Sequence, residues 1–265
     1  MVERSEMTSF EEYLEEFKKE IEKGYKERTM ATALAEYIHD RPDKTLIKFY
    51  KLDGPLKASG LSTGGQLTAI NVTSRSVQPL NAGFTLDLKD WADDPERTYM
   101  EMLMHQLGCD LAEREYYIIV NGMLNCVGNT INSAQKGKLS KGDISQAHNW
   151  IGAQGVYADS VIMHIDQKVE FEKSGELFYP DKIPLGCVPQ EKRGAYYAGW
   201  IGAVNVYWNR FTKDYAVVFS GREIVFERAP LKVEFDNMTH PTMLILTKWC
   251  AAAPLFDQAV VKIQL

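Results

Sequence analysis

Residues 94–120 carry apolar side chains at intervals of three and four, a spacing that only a helix places on one face. Tyr99, Leu103, Leu107, Leu111 and Ile118 mark that face, with Arg114 in step. Asp94-Pro95 fits the start, because aspartate caps free N–H groups and proline suits the first helical position. Asn121-Gly122 fits a left-handed C-cap, so the helix is expected to end at Val120. At 1.5 Å per residue it spans on the order of 40 Å, and the rest of the fold has to be laid along it.

The segment before it cannot bury itself. The first 28 residues hold nine acidic and six basic side chains. Their apolar residues, Phe10, Tyr13, Leu14, Phe17 and Ile21, form one helical stripe, with Ser9 and Glu12 in capping-box spacing. Gly24 loosens this helix, and a second apolar set at Met30, Leu34, Tyr37 and Ile38 continues it to Asp40-Arg41-Pro42. Two readings stay open: an arm that lies on something else, or an ordinary surface helix.

Thr45–Leu52 reads as a strand, and Asp53-Gly54-Pro55 turns the chain. Lys57–Gly65 is small, polar and flexible; Gln66–Thr73 alternates as a strand, and Val77–Leu88 returns. Residues 45–90 therefore form an extended hairpin with too few apolar residues for a core, and such a ribbon needs a neighbour to lie on. Further on, Asp143–Gly155 is a helix capped by Asp143, Asp159–Ile165 a buried strand and Asp166–Lys173 a short helix. Ala203–Trp208, Ala216–Phe219, Glu223–Glu227, Leu231–Phe235 and Ala259–Gln264 are strands. The fold class is α+β.

Composition removes several functions. A net charge of −6 on 265 residues argues against a dedicated nucleic-acid binder, though not against a protein that encloses nucleic acid. The longest apolar runs, such as Tyr116–Val120, fall far short of the ~18 residues of a membrane span, so no membrane partner is expected. The N-terminus lacks the cationic start and apolar core of a secretory signal. Cys109, Cys126, Cys187 and Cys250 form no CxxC pair and read as reduced thiols of a cytoplasmic protein.

Catalytic motifs are weak. Gly60-Leu61-Ser62-Thr63-Gly64 matches GxSxG, but in a hairpin loop instead of the strand-to-helix turn that a nucleophilic serine requires. His105 and Cys109 stand four apart on the long helix without a second ligand pair. Lys136, Lys138 and Lys141 lie in a glycine-containing loop that lacks the phosphate-wrapping order. No enzyme activity, metal or cofactor is expected.

The order of these pieces resembles the major capsid proteins of tailed viruses with the Hong Kong 97-like fold, and the encapsulins that share it. The charged N-terminal helix and the hairpin are similar to that family's N-arm and E-loop. Leu111–Met123 (LAEREYYIIVNGM) resembles the end of its spine helix, and Lys141–Ile165 the helix, glycine turn and strand of its axial domain. GWIGAVNVYWNRF, AVVFSGREIVFERAPLKVEFD and QAVVKIQL resemble its last strands.

The resemblance implies a helical arm at 1–42, an E-loop at 43–90, a peripheral domain at 91–135 and 212–245, and an axial domain at 136–211 and 246–265. It implies an icosahedral shell of pentamers, with hexamers open as a second unit, assembled in the host cytoplasm as a virion capsid around double-stranded DNA. A portal and, if one is used, a separate scaffold protein would be partners. The alternative is an encapsulin-type cytoplasmic shell around a cargo enzyme, in whose family the N-terminal helix helps form the cargo site. Assembly contacts are expected from Phe10, Tyr13, Leu14, Phe17 and Ile21, from the loop tip Gly60, Gly64 and Gly65, and from Lys57 and Arg75 pairing with acidic groups of a neighbour. No lysine lies between Ala58 and Leu88, so no E-loop cross-link is expected, and 42 residues before the hairpin leave no room for a fused scaffold. A soluble hydrolase using Ser62 is the third reading.

Overall fold

The computed structural model describes residues 3–40, 46–52, 70–76, 78–86, 98–179, 194–236 and 242–265. In chain order the first elements are helices α1 (Glu3–Arg28) and α2 (Ala31–Leu34), then strands β1 (Tyr37–Asp40), β2 (Leu46–Leu52), β3 (Ile70–Ser76) and β4 (Gln78–Leu86). The long helix α3 (Thr98–Leu124), β5 (Asn129–Asn132), helix α4 (Lys141–Ala153), β6 (Ser160–His164) and helix α5 (Ile165–Ser174) follow. The chain closes with β7 (Tyr197–Ile201), β8 (Val204–Asn209), β9 (Tyr215–Phe219), β10 (Ile224–Arg228), β11 (Lys232–Asp236), β12 (Thr242–Pro254) and β13 (Val260–Gln264).

Two sheets are built from these strands. In the five-stranded sheet β12 is the axis: β4 pairs with it over residues 242–250, while β11 and then β10 take its other edge. β1 adds to β10 in parallel. The six-stranded sheet runs β5-β13-β9-β6-β8-β7, with the apolar run of β6 buried at every position. Among the described residues β2 and β3 pair only with each other.

Helix α3 packs between the sheets. Tyr116, Ile119 and Met123 meet Phe226, Cys250 and Ala252 of one sheet and Val217 and Phe219 of the other. A second core lies under α4, where Ile144, Ala147 and Ile151 cover Val161, Met163, Val218 and Ile263. The chain passes from the five-stranded to the six-stranded sheet through α3, and crosses directly between them after β9 and after β12. The crossings are bonded to each other: Ser220 N–H donates to the Ala259 carbonyl (3.0 Å) and Leu255 N–H to that of Glu223 (2.7 Å). Asp159 at the start of β6 accepts from Gly221 N–H (3.0 Å) on the same corner.

Several local expectations change. Tyr37–Asp40 is a strand, since pairing along β10 satisfies its backbone better than a continued helix would. The ribbon closes with β3, and Gln78–Leu86 instead joins β12 as an edge strand, the position where Pro79 loses no ladder bond. β9 lies in one sheet with β13 and β6, and β12 in the other with β10 and β11. Ser9 and Glu12 lie inside α1 and do not cap it. The cap of α4 is Ser140: its hydroxyl accepts from Asp143 N–H while Asp143 accepts from Ser140 N–H, so Asp143 is the third helical residue of the box.

Asn121-Gly122 does not end α3, which runs on to Leu124. Gly122 is there because the helix meets β12 backbone to backbone: a Cβ on it would lie 2.3 Å from the Ala252 carbonyl oxygen.

Candidate functional site: the seat of the N-terminal helix

The expected assembly residues fall into three groups. Lys57, Gly60, Gly64 and Gly65, with Ser62, lie outside the described residues. Arg75 sits on β3 opposite Ile47 of β2, and Phe10, Tyr13 and Leu14 lie on α1. Phe17 and Ile21 are buried within the chain itself, against Met100, Met104 and Leu246. This part of the stripe is covered by α3 and β12 of its own subunit.

The two helices touch at their backbones. A Cβ on Gly24 would lie 2.0 Å from the His105 carbonyl oxygen, and one on Gly108 equally close to that of Ile21. Gly24 is therefore a crossing point and not a loosened turn. Cys109 and His105 lie at this crossing without forming a metal site. The Cys109 thiol donates to the Gly24 carbonyl (3.5 Å), and His105 Nε2 lies 2.9 Å from Glu27. Burial pushes the thiol's pKa up, with nearby Arg28 opposing. Among the described residues no three His, Cys, Asp or Glu side chains could hold a metal ion together. Cys109, Cys126 and Cys250 are buried thiols.

Just past the crossing lies a polar cluster that sequence reasoning missed. Glu115 of α3 and Lys248 of β12 form a fully buried ion pair, 2.7 Å apart. Tyr25 of α1 donates its hydroxyl proton to Glu115 (2.5 Å) and accepts from Lys248. Thr29, one residue beyond α1, donates to the other Glu115 oxygen (2.8 Å). The carboxylate thus has partners on both oxygens, which a buried charge requires. Burial lowers the Lys248 pKa against the opposing pull of Glu115. The Tyr25 pKa is raised well above its ordinary value, by burial first and then by the Glu115 charge.

A signal for the pair does exist in the sequence. Glu115 stands at i+4 from Leu111 and i−3 from Ile118, inside the apolar stripe, and Lys248 is the lone charge of Met243–Pro254. Two opposite charges, each alone in a buried run, are candidates for each other.

At the edges of the seat the contacts are partly exposed, although the Glu227 side chain is buried. His39 Nδ1 lies 3.8 Å from Glu227 and Arg228 donates to Asp40 (2.8 Å), fastening β1 to β10. Surface pairs of this kind contribute little each. Lys136, Lys138 and Lys141 stay solvent-exposed, with the Leu139 N–H held by Gln167 (2.8 Å). No helix among the described residues is long and apolar enough to cross a membrane.

No protein-family profile matches the chain, and no curated protein matches it in sequence. Solved structures do. A virus-like particle from Pyrococcus furiosus is similar over 96% of this chain and 100% of its own, at 11% identity and a TM-score of 0.64. The capsid of an empty GTA particle follows at 89% of each chain, 11% identity and a TM-score of 0.58. The holo-SrpI encapsulin complex of Synechococcus elongatus is similar over 85% of this chain and 84% of its own, at 14% identity and a TM-score of 0.56. An α+β chain with a long helix between two sheets, a two-stranded ribbon and this full-length likeness has the Hong Kong 97-like capsid fold.

Proposed function

We propose that the chain is a structural subunit that self-assembles into a closed icosahedral shell. The observation that carries this reading is the extent of the likeness: the fold follows a particle-forming subunit along the whole of that subunit's length. The ribbon β2–β3 adds support, since a two-stranded ribbon is marginal alone in water and gains from lying on a second copy. The lead reading of the contents is the double-stranded DNA of a tailed virus, enclosed without sequence-specific contacts, in line with the acidic net charge. A compartment around a cargo enzyme is the second reading. It is favoured by α1, which lies against α3 of its own subunit at Phe17, Ile21 and Gly24.

Electron microscopy of the chain, expressed alone and together with its gene neighbours, tests the assembly. Uniform closed particles are expected, and only monomers or small rings under both conditions would overturn it. Nuclease-protected DNA in the particles supports the capsid reading, whereas a co-purifying enzyme supports the second. Activity lost on Ser62→Ala in a small oligomer would restore the hydrolase.

A further inference from the structure

The Glu115–Lys248 pair is covered by the one element that could leave it. Both charges belong to the body of the subunit, α3 and β12, while their caps, Tyr25 and Thr29, come from α1 and the residues just after it. A seat meant only to hold would be apolar, because removing two charges from water costs several kcal/mol each before their attraction offsets it. A charged seat behaves differently when uncovered: water rehydrates both groups, and the open state loses less than it would with a bare apolar face.

The remaining contacts fit the same picture. Phe17 and Ile21 pack on Met100, Met104 and Leu246, Tyr25 adds its ring to the core around Leu111 and Tyr116, and the Glu27–His105 contact is exposed. The cluster also fixes register. Sliding α1 by one turn would leave the pair uncapped and would put Glu20 or Arg28 where only Gly24 fits against His105.

We propose that α1 is a detachable strap: it opens as a unit from a folded body, and the Glu115–Lys248 pair sets both its register and its readiness to open. The inference does not depend on what the shell holds, or on whether one forms. Release uncovers Met100, Met104, Leu246 and the charged pair together, creating a surface that the closed subunit does not present.

Hydrogen exchange of the full-length chain, read peptide by peptide, tests this. In the wild type the amides of α1 exchange together and faster than those of β9 and β13. Lys248→Met leaves Glu115 buried without its cation, and α1 exchange rises roughly 100-fold or more while β9 and β13 are unchanged. The triple variant Glu115→Leu, Lys248→Met and Tyr25→Phe removes both charges together with the hydroxyl they partner, and α1 exchange falls below the wild-type rate. Three results would overturn the proposal: wild-type α1 no faster than β9, a single variant that loosens body and helix equally, or a triple variant no slower than wild type. Should Lys248→Met not fold, the triple variant against wild type decides alone.

Discussion

Gly122→Ala separates the two opposing effects of a methyl group on a helix. Inside a helix, alanine is favoured over glycine by roughly 1 kcal/mol. At residue 122, however, the new Cβ would stand 2.3 Å from the carbonyl oxygen of Ala252 and 2.8 Å from its carbon. Both are backbone atoms of β12, so no rotamer change relieves the overlap. Helix and strand would have to part by roughly 1 Å or more to restore contact distance, loosening Ile119 and Met123 from Cys250 and Ala252. Overpacking of this kind costs about 1–3 kcal/mol, occasionally more, which outweighs the propensity gain.

Gly152 of α4 is the control: it lies in a helix with nothing within 4 Å of its would-be Cβ. Gly152→Ala is expected to gain up to about 1 kcal/mol, and Gly122→Ala to lose up to about 2 kcal/mol net. In urea unfolding of the unassembled chain the two midpoints should move in opposite directions. A Gly122→Ala midpoint at or above wild type would refute the backbone contact as the reason for that glycine.

Other substitutions follow from the same packing. Ile21→Asp places a carboxylate against Met100, Met104 and Leu246, so trypsin should remove the first 28 residues and leave the body; a wild-type digestion pattern would contradict the buried seat. Burial raises the Asp159 pKa above 3.8, with the Gly221 and Ser160 hydrogen bonds opposing, so the folded state favours the protonated acid and loses stability as pH rises out of the acid range. Asp159→Asn keeps an oxygen acceptor for both bonds and should be the more stable protein at neutral pH, with the gap closing as pH falls toward about 4; a gap independent of pH would rule this out. Because burial raises the Tyr25 pKa above 10.0, the unfolded chain ionises first, and stability present below that pH is lost above it. Tyr25→Phe should flatten this alkaline limb, as followed by urea midpoints between about pH 9 and 11; an unchanged slope would mean that another group causes it.

The elements legible in the sequence are those whose local pattern agrees with their surroundings. α3 declared itself through periodicity and β6 through an unbroken apolar run, and both lie where that pattern puts them. The strand at Tyr37–Asp40 did not, because its spacing continues the helical stripe and only parallel pairing with β10 makes it extended. β12 was hidden for a related reason. Its C-terminal half is Cys250-Ala251-Ala252-Ala253-Pro254, poor in strand formers, and it is a strand because β10 flanks it. Asn121-Gly122 has the chemistry of a helix end, but the close approach of β12 gives that glycine a different use. In the candidate site the apolar stripe was visible at Phe17 and Ile21, but its partner was not: no local pattern tells whether a stripe is covered by its own chain or by another. The buried pair was hidden because its two charges stand 133 positions apart, Glu115 and Lys248, and only the tertiary fold joins them.

The corner where the chain crosses twice between the sheets has a mechanical meaning. Two short braces side by side, bonded to each other at Ser220–Ala259 and Leu255–Glu223 and tied to β6 through Asp159, form a stiff bracket with no pivot. Torque applied to one sheet is delivered to the other. In any curved surface tiled by this chain, the angle within each tile is then constant, and a change of radius has to be taken up at the seams between tiles.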